Sequence, residues 1–200
     1  MISGILISAG YSSRFGSPKA IAKLCNGKTV IAHLQQSVIS SKIDELIIVL
    51  GAESEKITPF ILPHPKTQIV YNQDYHLGQT VSFQTGLKHV SPQAQGIFLF
   101  PIDCPLIKTE TINNIIDFVK MHSKDYLAII PTYEHKNGHP PLLSAELREE
   151  LLSLKNTVGI NTVFHANLKQ TKFLPTEDPG ILLHFNTQAE FTFINKTENL

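Results

Sequence analysis

Ile2-Ser3-Gly4-Ile5-Leu6-Ile7-Ser8-Ala9-Gly10-Tyr11-Ser12-Ser13-Arg14-Phe15-Gly16-Ser17-Pro18-Lys19 is an apolar run that ends in a loop of small residues with two cations set into it. A short strand that opens into such a loop leaves backbone N–H groups able to approach an anion, and Arg14 and Lys19 add fixed positive charge beside them. The stretch reads as a first strand followed by a triphosphate-binding loop over Ala9, Gly10, Tyr11, Ser12, Ser13, Arg14 and Lys19. Its place after a strand suits that reading, because open α/β sheets hold ligands at the carboxyl ends of their strands.

Spacing excludes two commoner phosphate loops. A Walker-type loop needs Gly-Lys-Ser/Thr at a helix start, whereas Ser17-Pro18 separates Gly16 from Lys19, and Pro18 has no N–H to donate. The dinucleotide fingerprint fails because Tyr11-Ser12 follows Gly10 in place of a second glycine one residue on. A surface turn with two solvated cations has the same composition and stays open on the loop alone.

Outward from this stretch, strand and helix signals alternate to about Pro131. The strand candidates are Gly4 to Ser8, Glu45 to Leu50, Thr67 to Tyr71, Gly96 to Phe100 and Tyr126 to Pro131, short and rich in β-branched or aromatic residues. Amphipathic segments lie between them near Thr29 to Ser41, Glu53 to Ile61, Thr80 to Val90 and Thr109 to His122. The alternation predicts an α/β fold: a Rossmann-like three-layer sandwich with a mostly parallel central sheet, Leu46 to Leu50 and Ile97 to Phe100 being apolar enough to be central. After Pro131 the pattern changes; Pro140-Pro141-Leu142-Leu143 suggests an edge or irregular strand, and Ser144 caps a helix to about Leu154. Without a linker or repeat, one domain over 1–200 is expected, its pattern changing at about 131/132.

The composition bounds the partners. Lys plus Arg (17) equals Asp plus Glu (17), so no global field draws nucleic acid or an anionic membrane, and any anion site is local. No run is long enough to span a bilayer, and the N-terminus lacks the pattern of a secretory signal. With only Cys25 and Cys104 and no metal-site spacing, a reducing cytoplasm is the expected location, and Cys104 reads as a small apolar filler.

Asp103 follows the strand Gly96 to Phe100 and precedes Pro105, which puts its carboxylate on the same rim as the Gly10 loop. A hard oxygen ligand there can hold Mg²⁺ against triphosphate oxygens, although an Asp capping the helix near Lys108 or closing an Asx-turn fits the local sequence too. Gly78-Gln79-Thr80-Val81-Ser82 opens a helical segment and offers a free helix N-terminus, or else a glycine turn with Thr80 as N-cap.

The loop pattern Ala9-Gly10-x-Ser12-x-Arg14-Phe15-Gly16-x-x-Lys19, with Gly78-Gln79-Thr80-Val81-Ser82, Asp103-Cys104-Pro105, Gly138-His139-Pro140 and Asn186-Thr187, resembles the nucleotidyltransferases that attach a nucleoside monophosphate to molybdopterin, within the larger group that makes nucleotide-sugars. The motifs span nearly the whole chain in the expected order. The resemblance implies the nucleotide-diphospho-sugar transferase fold, about 1–131 binding nucleotide and about 132–200 facing the acceptor, with Arg14, Lys19 and Asp103 in catalysis and Gly78 and Ser82 against base or ribose. It also implies Gly138, His139 and Pro140 on the acceptor: Gly138 permitting close backbone approach, His139 hydrogen-bonding phosphate or pterin, Pro140 stiffening the edge. Related cytidylyltransferases carry Asp-x-Asp-Thr-Pro near the C-terminus; here that stretch is His184-Phe185-Asn186-Thr187-Gln188. The implied metal set is therefore Asp103, Asn186 and His184, the imidazole adding no negative charge and suiting softer ions than Mg²⁺.

Base choice rests on the resemblance as well. Guanylyl-transferring relatives usually have Gly-Gly after the first strand and Asp before the lysine, while Gly10-Tyr11 and Pro18-Lys19 stand here, and a bulky Tyr11 would leave less room for a purine. The expectation is a Mg²⁺-dependent transfer of CMP from CTP (or of another nucleotide from its triphosphate) to molybdopterin or the molybdenum cofactor, with a molybdoenzyme or its maturation chaperone as recipient. A sugar-phosphate or alcohol-phosphate acceptor is one alternative, and a nucleotide- or pterin-binding protein without turnover is another, motivated by His184 and Gln188.

Overall fold

The computed structural model describes residues 1–122 and 125–197. An eight-stranded sheet runs through it: β1 (Ile2–Ser8), β2 (Glu45–Leu50), β3 (Thr67–Tyr71), β4 (Gly96–Pro101), β5 (Ala128–Tyr133), β6 (Lys136–Asn137), β7 (Leu142–Ser144) and β8 (Thr171–Pro175). Its order is β3-β2-β1-β4-β7-β5-β6, with β8 on β5. β1, β2, β3 and β4 are mutually parallel, as is the β5/β8 pair, while β7 runs antiparallel to β4 and β5. The expected α/β architecture with a mostly parallel central sheet is therefore present.

Every residue of β1 and β4 is buried, because helices cover both faces of the sheet. On one face α1 (Val30–Ile39) and α4 (Thr109–His122) pack Leu34, Val38, Ile112 and Ile116 against Leu6, Ile48 and Phe98. On the other, α3 (Gln79–Leu87), α5 (Arg148–Ser153) and α6 (Asn161–Ala166) pack Phe83, Leu87, Leu151 and Val163 against Ile5, Val49 and Ile97. α3 lies close because Gly86 has no side chain: a Cβ there would meet Ile5 Cγ2 at 2.6 Å. This close approach seats the start of α3 beside the carboxyl ends of β1 and β2.

Local boundaries shifted where prolines and caps intervene. The helix expected over Glu53 to Ile61 is only α2 (Ser54–Ile57), giving way to a 3-10 turn over Thr58–Phe60 in which Pro59 cannot extend an α-helical ladder. The strand expected at an edge near Pro140 is β7, which lies inside the sheet; Leu142 and Leu143 are buried and the two prolines precede the paired residues. Ser144 does act as a cap, its hydroxyl accepting from the Glu146 N–H at the start of a 3-10 turn that leads into α5. The pattern along the chain left β8 and α7 (Gln188–Thr197) unassigned.

α7 belongs to a separate apolar cluster. Phe15 from the loop after β1 packs with Phe185 and Phe191, their ring centroids 5.2 and 5.5 Å from that of Phe15, together with Leu24, Val30 and Ile194. α7 starts with a reciprocal cap: Thr187 Oγ1 accepts from the Glu190 N–H, and the Glu190 carboxylate accepts from the N–H groups of Asn186 and Thr187. Those two backbone bonds, from Asn186 and Thr187, hold the Glu190 carboxyl below its usual pKa. Thr187-x-x-Glu190 is the sequence signal that announces this helix. Among the described residues no helix is long and apolar enough to cross a membrane.

Candidate active site

The loop after β1 bends back on itself because Ser12 and Gly16 both adopt left-handed backbone, with φ of 53° and 84°, and the Ser12 carbonyl accepts from the N–H groups of Phe15 and Gly16. Ser12 Oγ also accepts from the Lys19 N–H at 3.2 Å, which ties the two ends of the loop together. The loop walls a cavity of about 320 Å³ with Ala9, Gly10, Ser12, Ser13, Arg14 and Lys19 on one side, Tyr75, Gly78, Gln79 and Ser82 on another, and Asp103 and Asn186 at the rim. Residues from four distant parts of the chain thus converge at the carboxyl end of the sheet.

The charges on that rim are paired with one another. Asn186 Oδ1 accepts from Lys19 Nζ at 2.8 Å and from Arg14 Nη2 at 3.0 Å, and Lys19 Nζ lies 3.4 Å from Asp103 Oδ2. Lys19 is well shielded, its side chain 11% exposed and its ammonium 5.3 Å from the centre of the Phe185 ring. The α7 cluster therefore delivers Asn186 to the loop and supplies the aromatic floor under Lys19.

Asp103 does not cap α4. That task falls to buried Asp178, whose carboxylate accepts from the Lys108 N–H and the Thr111 hydroxyl, so Asp103 is left facing the cavity. The neighbouring Cys104 is buried, and desolvation, reinforced by the Asp103 charge, pushes its thiol well above its usual pKa. It fills space, and a thiol that burial keeps protonated is a poor nucleophile.

Gly78, with φ of 109°, occupies the N-cap position of α3, so the alternative that placed Thr80 there fails; the Thr80 hydroxyl instead donates to the Val158 carbonyl at 2.7 Å. Ser82 is buried, donating to the Gly78 carbonyl and accepting from the Asn72 amide. It steadies the glycine turn that lines the cavity.

Other expected residues stand apart from this convergence. Tyr11 is 58% exposed, outside the cavity wall, with its ring edge-on to Tyr75 at 5.2 Å. It does not narrow the cavity, and the expected exclusion of a purine by its bulk has no basis in the geometry. His184 is also exposed; its Nδ1 is 3.1 Å from the Leu182 carbonyl and its ring lies along an outer groove with Leu183, Ala189 and Phe193, off the wall that carries Asp103 and Asn186. The expected three-residue metal set is thus not assembled, and among the described residues no group of three or more His, Cys, Asp or Glu could hold an ion.

Gly138 admits a close neighbour, but that neighbour is the chain itself: a Cβ would meet Ile181 Cγ1 at 2.6 Å. The contact sets His139 in the wall of a second cavity of about 470 Å³, which shares Gln79, Pro101 and Asp103 with the first and is completed by Asn156, Asn161 and Phe164. Pro140 is buried behind it. His139 Nδ1 is buried without a hydrogen-bond partner, and desolvation lowers the imidazole pKa below its ordinary 6.5. Sequence reasoning missed the Asn156 to Phe164 segment; no pattern local to it announces a ligand surface.

A mostly parallel α/β sheet with a cationic loop, a carboxylate and a second cavity at its carboxyl rim suits a nucleotidyltransferase. The profile of the MobA-like NTP transferase domain matches residues 4–171, and the chain belongs to that family. It is 28% identical over 152 residues to a protein of Thermococcus sibiricus named "probable molybdenum cofactor guanylyltransferase", covering 76% of this chain and 71% of the relative. A Bacillus cereus protein of the same name is 28% identical over 162 residues, covering 76% and 72%. Among solved structures, Rv0371c of Mycobacterium tuberculosis H37Rv superposes with a TM-score of 0.85 at 25% identity over 98% of this chain and 97% of the other. A structure of Rv0371C in complex with manganese has a TM-score of 0.82 at 23% identity over 98% of each chain. The relatives' guanylyl names overturn the expectation of CTP, which had rested on Tyr11 and on Pro18 before Lys19.

Proposed function

We propose that the chain transfers the guanylyl group of GTP to the terminal phosphate of molybdopterin, with pyrophosphate leaving. The observation that carries this reading is the convergence of Arg14, Lys19, Asp103 and Asn186 on one rim, where the two cavities share Asp103. The names of the relatives support guanine as the base and the molybdenum cofactor as the acceptor.

In this account the loop from Ala9 to Lys19 receives the triphosphate, with Arg14 and Lys19 neutralising it, and Gly78 and Ser82 shape the base end. Asp103 and Asn186 offer one carboxylate and one carboxamide oxygen, hard donors that suit Mg²⁺ or Mn²⁺ completed by phosphate and water. Such an ion, when bound, withdraws charge from the phosphorus under attack. Its ligands on this chain would be Asp103 and Asn186, without His184. The second cavity takes the acceptor: His139, its imidazole pKa lowered by desolvation, and the amides of Asn156 and Asn161 present hydrogen-bonding groups, with Phe164 as an apolar wall. The nucleotide part is then the β1 to β4 portion and the acceptor part the portion after β5. Because phosphoryl-type transfer asks little covalent chemistry of the protein, positioning and charge neutralisation supply most of the rate.

The test is a screen of four nucleoside triphosphates for binding with Mg²⁺ or Mn²⁺, followed by pyrophosphate release and product mass with molybdopterin as acceptor. GTP should bind best and yield the dinucleotide. Release with a sugar-phosphate but not molybdopterin would move the reading to another acceptor, and binding without release in any combination would reduce the chain to a binding protein.

A further inference from the structure

The feature that the proposed reaction leaves unexplained is where Lys19 points. A lysine that only greets phosphate would extend into the cavity, yet its ammonium is drawn back onto Asn186 Oδ1 at 2.8 Å and lies 3.4 Å from Asp103 Oδ2, over the face of Phe185. These two oxygens are the donors a divalent ion would need. Arg14 Nη2 occupies a further position on the same Asn186 oxygen at 3.0 Å. The cavity lining thus carries two cations, one beside Asp103 and both on Asn186, against the one carboxylate of Asp103; the nearby Glu190 carboxylate is engaged with the Asn186 and Thr187 N–H groups.

We propose that Lys19 is a built-in occupant of the cation position, competing with the divalent ion for Asp103 and Asn186 until a nucleoside triphosphate draws its ammonium away. The inference rests on the nucleotidyl-transfer reading for the identity of the anion. Without nucleotide, an arriving ion meets an excess of positive charge and oxygens already bonded to N–H donors. The triphosphate reverses both conditions, because its oxygens offer Lys19 and Arg14 stronger partners and its negative charge outweighs theirs. Metal and nucleotide affinity are then positively coupled, each raising the other by the same factor. The ordered consequence is that the protein takes up the ion with the nucleotide and binds the ion poorly by itself.

The sign of one substitution decides the matter. If Lys19 were only a phosphate contact, removing its charge would weaken nucleotide binding and leave the binding of metal alone unchanged. If it occupies the cation position, Lys19→Met should bind Mn²⁺ alone more tightly than wild type, by on the order of tenfold or more for loss of a unit charge a few ångströms away, while GTP binding weakens. Free Mn²⁺ counted by electron paramagnetic resonance in titrations without nucleotide gives the first quantity, and calorimetry with GTP gives the second. Methionine keeps an apolar stem over Phe185, circular dichroism checks the fold, and Lys19→Gln stands in should the first variant fail to fold. Adding Asp103→Asn to Lys19→Met should erase the gain. Unchanged or weaker Mn²⁺ affinity in the Lys19 variants, or a gain that survives Asp103→Asn, overturns the proposal. Failure of wild type to bind GTP with or without metal would sink the nucleotidyl reading instead, and the metal-only comparison would still decide the position of Lys19.

Discussion

Phe185→Ala tests whether the C-terminal segment is part of the grip on the triphosphate. Phe185 is fully buried, and its ring centroid lies 5.2 Å from that of Phe15 in the phosphate loop and 4.8 Å from that of Phe191 in α7. Its side chain also underlies the Lys19 ammonium, and its N–H donates to the Asp103 carbonyl. Truncating a buried Phe costs about 3–5 kcal/mol through lost transfer energy and an unfilled cavity, and the two aromatic contacts account for roughly 0.5–1.5 kcal/mol each of what is lost. Against a total stability of roughly 5–15 kcal/mol the protein should still fold in the cold, but its urea midpoint should drop sharply. Because Asn186 is the next residue and Phe15 follows Arg14, GTP affinity should fall by on the order of tenfold or more even in the folded population, about 1.4 kcal/mol. Phe185→Leu, which keeps most of the apolar volume, should lose much less of both. Urea melts followed by circular dichroism and calorimetric GTP titration in the cold measure the two effects. A Phe185→Ala protein that binds GTP as wild type does would refute the part given to the C-terminal segment in gripping the triphosphate, and the phosphate loop would then be ordered by the sheet alone.

Asp103→Asn should lower metal-dependent turnover by on the order of a hundredfold while metal-free nucleotide binding changes little, since shape is kept and charge removed; equal turnover at limiting Mg²⁺ would take Asp103 out of the chemistry. His184→Ala should leave turnover within about twofold of wild type in both Mg²⁺ and Mn²⁺, because the ring lies off the cavity wall; a larger loss in steady-state assays would return it to the site. The His139 imidazole, with its pKa lowered from 6.5 by burial, refuses in the folded state a proton that the unfolded chain accepts. Its contribution to stability is therefore complete above pH 6.5 and is lost as pH falls toward the folded pKa, by at most about 1.4 kcal/mol per pH unit. Urea melts across this interval should show the slope in wild type and a flatter one in His139→Asn; equal slopes would assign the titration to another group.

The first strand and its loop were legible because their information is local: an unbroken apolar run demands burial on both faces, and small residues with Arg14 and Lys19 after it suit an anion whatever the rest of the chain does. Asp103 was legible for the same reason, as the first charge beyond an apolar strand that had to be central. β8 was not, because Thr171–Pro175 reads Thr-Lys-Phe-Leu-Pro, with no alternation of apolar and polar residues and only Thr171 buried, and becomes a strand only by pairing with β5. The interior place of β7 depended likewise on which strands flank it. Resemblance and periodicity could bring Gly138, His184 and Tyr11 to the neighbourhood of a site, but not say which way each faces. Gly138 turned out to accommodate Ile181, His184 to sit outside the wall, and Tyr11 to lean on Tyr75. Such orientations are settled by contacts between residues far apart in sequence, and only the folded chain contains them. The pairing of Lys19 with Asp103 and Asn186 is of that kind: three polar residues from the loop after β1, the end of β4 and the approach to α7, whose mutual distances no local pattern encodes.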